Sequence, residues 1–276
     1  MRRSLGNRAS FALVGALVAS SLLAACGSDG GGGSAPAPTP DPEPVTEADP
    51  EPEAEAGPEV DVDAPRGAAR GVVTFAGTVE EAAMIDMSGD PWCADTHPQG
   101  IRTDQLLVND GALANAFVWI DDDFDGFEFD VPDEPVIVDQ VNCVYVPRIS
   151  AAQLGQQVLA KTSDQVLHNV HTKPEINREQ NFGMPAGASP RELKFKKEEM
   201  LVQVVCDVHP WMTAYIGVVD HPFFAVTDAS GAWSFEDVPE GTYTVQVWHE
   251  VLGRTSFELT VTGDELVDVG AVSLGA

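Results

Sequence analysis

The chain has 276 residues, with 44 Asp and Glu against 15 Lys and Arg, a net charge of −29 and six histidines. That acidic excess argues against nucleic acid as a partner, because phosphate would be repelled. Six histidines are too few for the repeated histidine clusters of a multicopper oxidase. No phosphate-binding loop or nucleophile–base arrangement stands out either.

At the N-terminus, Arg2, Arg3 and Arg8 flank an apolar run from Phe11 to Ala25, too short for a comfortable membrane span. The run ends Leu23-Ala24-Ala25-Cys26, which resembles the lipobox of bacterial lipoproteins. The resemblance implies a signal peptide over 1–25 and a lipid on Cys26. It also implies a protein held on the extracytoplasmic side of the cell envelope, at the periplasm or cell surface, with the membrane as a partner through that lipid. Residues 26–69 read as a disordered linker rich in Gly, Pro and Glu. They hold few large apolar residues to offset the entropy of ordering, and proline and like charge favour extension.

Beyond the linker, Val, Thr and Phe alternate with polar residues between Gly, Pro and Asp, so the folded part is expected to be all-β. One weak helical stretch lies around Glu80–Met87. Asp121, Asp123 and Asp125 before Gly126 begin like a calcium loop, but the twelfth position is Pro132 rather than glutamate, so an acidic surface turn is expected. Of the four cysteines, Cys26 goes to lipid. Cys93 and Cys143 lie outside any ligand-like motif and are expected to pair as a disulfide in an oxidising compartment, the alternative being two buried thiols. Cys206 is then left over.

The stretch "SDQVLHNVHTK", 163–173, follows a strand ending near Thr162 and reads as a polar turn, then a strand entering through His168. Alternation puts His168 and Val170 on one face and Asn169 and His171 on the other, so His171 is expected at solvent or behind the site. Further on, "VVCDVHPWMTAYIGVV", 204–219, sets Cys206, His209 and Met212 at three-residue intervals in one short segment. A thiolate, two imidazoles and a weak axial thioether suit copper cycling between its two oxidation states. A distant strand must supply the second imidazole, and His168 is the candidate. The bland alternative is that Cys206 and Met212 serve as small or flexible core residues.

These two stretches, "HNVH" and "CDVHPWM", resemble the cupredoxins, the small blue-copper β-sandwiches, over residues 135–219 and in their amicyanin branch most of all. The resemblance implies a Greek-key sandwich with one mononuclear copper site. His168, Cys206 and His209 would be the equatorial ligands and Met212 the axial one. Asn169 would help fix the ligand loop. His209 would expose its edge as the electron port, and Trp211 would form part of a docking patch for a redox partner protein.

From Phe223 onward, "FFAVTDASGAWSFEDVPEGTYTVQVWHE" reads as a meander of strands and tight turns. It resembles the carboxypeptidase-regulatory-like, or transthyretin-like, sandwich. The opening strands of that module resemble "GVVTFAG", 71–77, and "ANAFVWI", 114–120, far upstream. A second, smaller β-sandwich split between 71–134 and 220–276 is therefore expected, with two sequential domains as the alternative. His249 and Glu250 fall at a strand end and read as packing or loop residues. Taken together, the chain is expected to carry single electrons and not to be an enzyme. The rival readings are a copper buffer, sensor or delivery protein, and a metal-free binding or adhesion protein.

Overall fold

The computed structural model describes residues 64–275. The expected signal peptide, Cys26 and the linker up to residue 63 lie outside the described residues. Among those described, the protein is all-β with one short helix, and no helix is long and apolar enough to cross a membrane. The leading segment gives β1 (Arg66–Thr74), α1 (Pro91–Thr96), β2 (Val108–Asn109), β3 (Ala112–Leu113) and β4 (Phe117–Ile120). The middle gives β5 (Val136–Val141), β6 (Val144–Val146), β7 (Ile149–Gln153), β8 (Val158–Thr162), β9 (His168–Lys173), β10 (Asn181–Met184), β11 (Arg191–Leu193), β12 (Glu199–Val205) and β13 (Thr213–Val219). The last segment gives β14 (Phe224–Val226), β15 (Ala232–Pro239), β16 (Gly241–His249), β17 (Gly253–Val261) and β18 (Leu266–Ser273). β1 thus begins at Arg66, inside the stretch expected as linker.

Four sheets result. β1 pairs with β15, β18 and β3 in the first, and β4 sits between β14 and β16 in the second. Both sheets therefore mix strands from the leading and last segments. They enclose a core that includes Val73, Leu113, Val118, Ile120, Trp233 and Val247. The middle segment makes the other two sheets, in the orders β10-β9-β12-β13-β7 and β11-β8-β5-β6. Their shared core includes Val138, Tyr145, Val170, Val204, Cys206, Met212 and Ile216.

The second and third sheets also pack against each other, through Phe117, Trp119, Ile149 and Val219. Hence every residue of β4 is buried: Val118 and Ile120 face one core, Phe117 and Trp119 the other. A strand covered on both faces loses its alternation, which explains the unbroken apolar run Phe117-Val118-Trp119-Ile120. Gly217 of β13 lies against the tip of the Phe117 ring, and a Cβ there would sit 2.6 Å from the ring's Cζ.

The long connection between β1 and β2 reaches over to the inserted sandwich. No helix forms at Glu80–Met87. Ala83 and Ile85 instead exchange backbone hydrogen bonds with Thr103 and Ile101, so extended pairing overrides the local helical preference. The helix is α1, started by Asp90, whose carboxylate accepts from the N–H groups of Trp92 and Cys93 at 2.8 and 3.1 Å, with Pro91 in the first turn. A disulfide joins Cys93 of α1 to Cys143. Cys143 and Asn142 form the two-residue turn between β5 and β6, both at positive φ (60° and 53°), as the tightest hairpins require.

Candidate metal centre

The inserted sandwich builds the centre from two places. β12 runs antiparallel to β9 with Val205 opposite His171, which brings the residue after β12, Cys206, beside the start of β9. The loop 206–212 then folds back on itself. Met212 N–H donates to His209 O at 3.0 Å, and Cys206 N–H to Met212 O at 3.3 Å, before β13 begins. Buried Tyr145 clamps the two strands by donating its hydroxyl toward the carbonyls of Asn169 and Val205, at 3.0 and 3.1 Å.

Three donor atoms converge here. Nδ1 of His168 and Nδ1 of His209 are 2.8 Å apart, and Cys206 Sγ is 3.9 Å from His209 Nδ1. One atom from each of the three residues lies within 4.8 Å of the others, and the residues are 0, 1 and 2% exposed. The N–H groups of Asn169 and His209 point at Sγ from 3.5 and 3.4 Å. Burial pushes the Cys206 thiol up, but hydrogen bonds from His168 and from the backbone of Asn169, His209 and Val208 outweigh it and bring it below its ordinary value. Met212 is buried in the same core as Cys206.

Each imidazole turns its other nitrogen to a carboxylate. His168 Nε2 donates to Asp164 Oδ2 at 2.8 Å, and His209 Nε2 to Asp90 Oδ2 at 3.2 Å. Asp164 also accepts from the N–H groups of Asn142 and Cys143, at 2.6 and 2.8 Å. With the protons held at Nε2, both Nδ1 lone pairs face inward. Two such lone pairs 2.8 Å apart in a dry core repel unless a proton or a cation lies between them. Burial lowers the His168 pKa, but hydrogen bonds and charge from Asp164 and Cys206 outweigh it and raise the pKa to about 9. A buried sulfur whose thiol pKa is lowered from its ordinary value, and two inward nitrogens, fit a soft or borderline cation, copper among them.

Residues singled out from the sequence fall as follows. Asn169 stitches β9 to the loop: its Oδ1 accepts from Asp207 N–H at 2.5 Å, and its Nδ2 donates to Asn181 and Asp207. His171, on the opposite face from His168, is nearly buried and binds Asp207 and Glu179, not the donor cluster. His249 and Glu250 also lie outside it. His249 is buried near Arg148, and Glu250 pairs with Arg148. Asp121 is taken up by Trp119 and Gln246, and no acidic cluster suited to calcium occurs there among the described residues.

One expectation is corrected. His209 does not expose an edge: α1 covers it, with Asp90 on Nε2 and Cys93 Sγ 3.8 Å away. Trp211 is half-buried against the His209 ring and donates Nε1–H to Cys143 O at 2.9 Å, so it serves to hold that cover rather than to stand free for docking. Sequence reasoning missed both carboxylates. Asp164 could have been found four residues before His168, at the turn. For Asp90 the sequence carries only a helix-start signal, in "GDPWC", which says nothing of His209.

No family model and no curated relative matches the chain. Solved structures similar to part of the chain include a copper-containing nitrite reductase from Thermus scotoductus SA-01, at 19% identity, TM-score 0.28 and 32% of this chain. This chain spans 23% of that enzyme's length. They also include the Cu(I) form of an amicyanin mutant, at 21% identity, TM-score 0.27 and 32% of this chain against 85% of that one. A purple cupredoxin from Nitrosopumilus maritimus matches at 23% identity, TM-score 0.26 and 31% of this chain against 99% of that one. Each likeness covers about a third of the chain and assigns no residue a role.

Proposed function

We propose that the protein is a lipid-anchored, extracytoplasmic copper protein that carries single electrons, with one copper that His168, Cys206, His209 and Met212 would hold. The observation that carries this reading is the buried meeting of one thiol and two inward-facing Nδ1 atoms with no carboxylate in the inner set. Copper bound there supplies a one-electron couple. The chain's own residues do the rest. Asp164 and Asp90 fix the imidazole tautomers, the N–H groups of Asn169 and His209 steady the thiolate, and the surrounding core excludes water.

Donors only 0 to 2% exposed favour a metal that stays over one that is handed on, which sets electron transfer ahead of copper delivery or sensing. The Cys93–Cys143 disulfide accords with an oxidising compartment, and the lipid on Cys26 would hold the protein at the membrane. Adding Cu(II) to the metal-free protein should give an intense thiolate-to-copper band and a matching EPR signal, both lost in Cys206→Ser. A colourless protein with copper bound elsewhere would end the proposal. Radiolabelled fatty acid incorporated by the native chain but not by Cys26→Ser would test the anchor.

A further inference from the structure

Five of the chain's 15 Lys and Arg residues line a single groove: Arg178, Arg191, Lys194, Lys196 and Lys197, all exposed. The groove holds about 820 Å³ and runs beside β10 and β11, the edge strands of the two inserted sheets. Its only acidic lining residues are Glu179 and Glu192. Glu179 is engaged by His171, and Glu192 lies a loose 3.7 Å from Lys194. Among the described residues, Arg178, Lys196 and Lys197 make no ion pair. In a chain of net charge −29, this concentration of unneutralised positive charge stands against the field of the whole molecule.

The backbone around the groove is held by hydrogen bonds. Asn177 Oδ1 accepts from the N–H groups of Lys196 and Lys197, at 2.7 and 3.2 Å. Gln180 exchanges two hydrogen bonds with the backbone of Lys194, at 3.0 and 3.1 Å. Buried Glu199 holds the far loop through the N–H groups of Ile176 and Asn177. The Arg191 guanidinium carbon lies over the Phe182 ring, 3.8 Å from its centroid. The cations are thus presented on a prepared backbone frame, which lowers the ordering that binding must impose.

One wall residue reaches the metal centre. Asn181 Oδ1 accepts from Asn169 Nδ2 at 2.8 Å, and Asn169 N–H points at Cys206 Sγ at 3.5 Å. Two hydrogen bonds therefore separate the groove from the sulfur, whereas the His209 edge is sealed by Asp90.

We propose that this groove docks an acidic surface segment of a partner protein and that, on the electron-transfer reading above, it is where electrons enter. The partner is then an acidic one-electron carrier. One electron leaves its reduced centre and converts bound Cu(II) to Cu(I); no bond is made and no proton moves. Asn181 and Asn169 link the docked partner to Cys206.

The docking half is tested on metal-free full-length protein with a fluorescein-labelled deca-glutamate peptide. It should bind at low salt, weaken as salt is raised, and bind roughly tenfold more weakly to the variant Arg178→Glu, Lys194→Glu, Lys196→Glu, Lys197→Glu. An unchanged urea midpoint shows that this variant folds. Equal affinity for both proteins overturns the proposal. So does groove-dependent binding to phosphatidylglycerol vesicles without peptide binding, which would make the surface a membrane contact. Peptide binding that appears only after the acids between 41 and 63 become glutamine also overturns it, naming the chain's own acidic stretch as the occupant.

The electron half uses oxidised, copper-loaded protein with the reductants hexacyanoferrate(II) and hexaammineruthenium(II). Docking in the groove makes reduction by the anionic reductant slow as salt rises, and roughly tenfold slower with the variant, while reduction by the cationic reductant does not slow with the variant. A rate with hexacyanoferrate(II) that rises with salt, as the net charge alone dictates, overturns electron entry there. Peptide binding in a protein that gives no copper band leaves the docking surface standing and removes the electron-transfer reading instead.

Discussion

Asp164 and Asp90 each accept from an Nε2–H, which leaves Nδ1 as the ring nitrogen of His168 and of His209 that faces the centre. The contrast is His249, also 1% exposed, whose Nδ1 accepts from Val251 N–H at 3.3 Å and whose Nε2 has no partner among the described residues. Burial, and then the charge of Arg148, press its pKa down to about 4. A histidine depressed in the folded state contributes stability that is fully present above its unfolded pKa of about 6.5. As pH falls from there toward 4, the unfolded chain takes the proton first and that stability is lost. His249→Gln should therefore flatten the dependence of urea-unfolding stability on pH between about 6.5 and 4, by at most about 1.4 kcal/mol per unit. Parallel curves for the two proteins would refute the assignment.

Among the elements, β4 and β13 decide how the two sandwiches meet. β4 is apolar on both faces, and β13 offers Gly217 where the Phe117 ring needs room. A methyl at Gly217 would lie 2.6 Å from Cζ and 3.0 and 3.1 Å from two further ring carbons. The ring is fully buried and has nowhere easy to go. Gly217→Ala should cost about 1–3 kcal/mol, read as a lower urea midpoint. If stability is unchanged, the two sheets are looser than the packing of Phe117 implies. α1 acts differently: it is too short to be stable alone and is fixed by its Asp90 cap and by the disulfide to Cys143.

At the scale of the molecule, Arg148 ties three parts together. It stands just before β7 of the inserted sandwich and grips Glu250, at the end of β16 in the outer one, through two nitrogens. A third nitrogen donates to Asp104, on the connection that carries α1, at 2.9 Å. The Arg148 and Glu250 side chains are 9 and 5% exposed. Removing the cation leaves a buried carboxylate without a partner, so Arg148→Ala should cost roughly 3 kcal/mol, with much of it regained in Arg148→Met/Glu250→Leu. Equal stability of the single variant and the native chain in denaturant would show that the link is not needed.

The all-β architecture was legible because alternation and turn residues are local signals. Cys206, His209 and Met212 were legible as a set because one loop of seven residues carries them, and strand geometry alone put His168 and His171 on opposite faces. Other features depend on partners far away in the chain. Asp90 is 119 residues from His209, and β1 takes two of its three neighbours, β15 and β18, from more than 150 residues on. Such pairings leave no period in either segment. The sequence by itself determined which atoms could bind a metal and that they would sit on strands and a tight loop. Only the tertiary structure decided that a capped helix would close over His209, and that the cations of 178–197 would gather around one groove, because packing between distant segments determines which surfaces are covered.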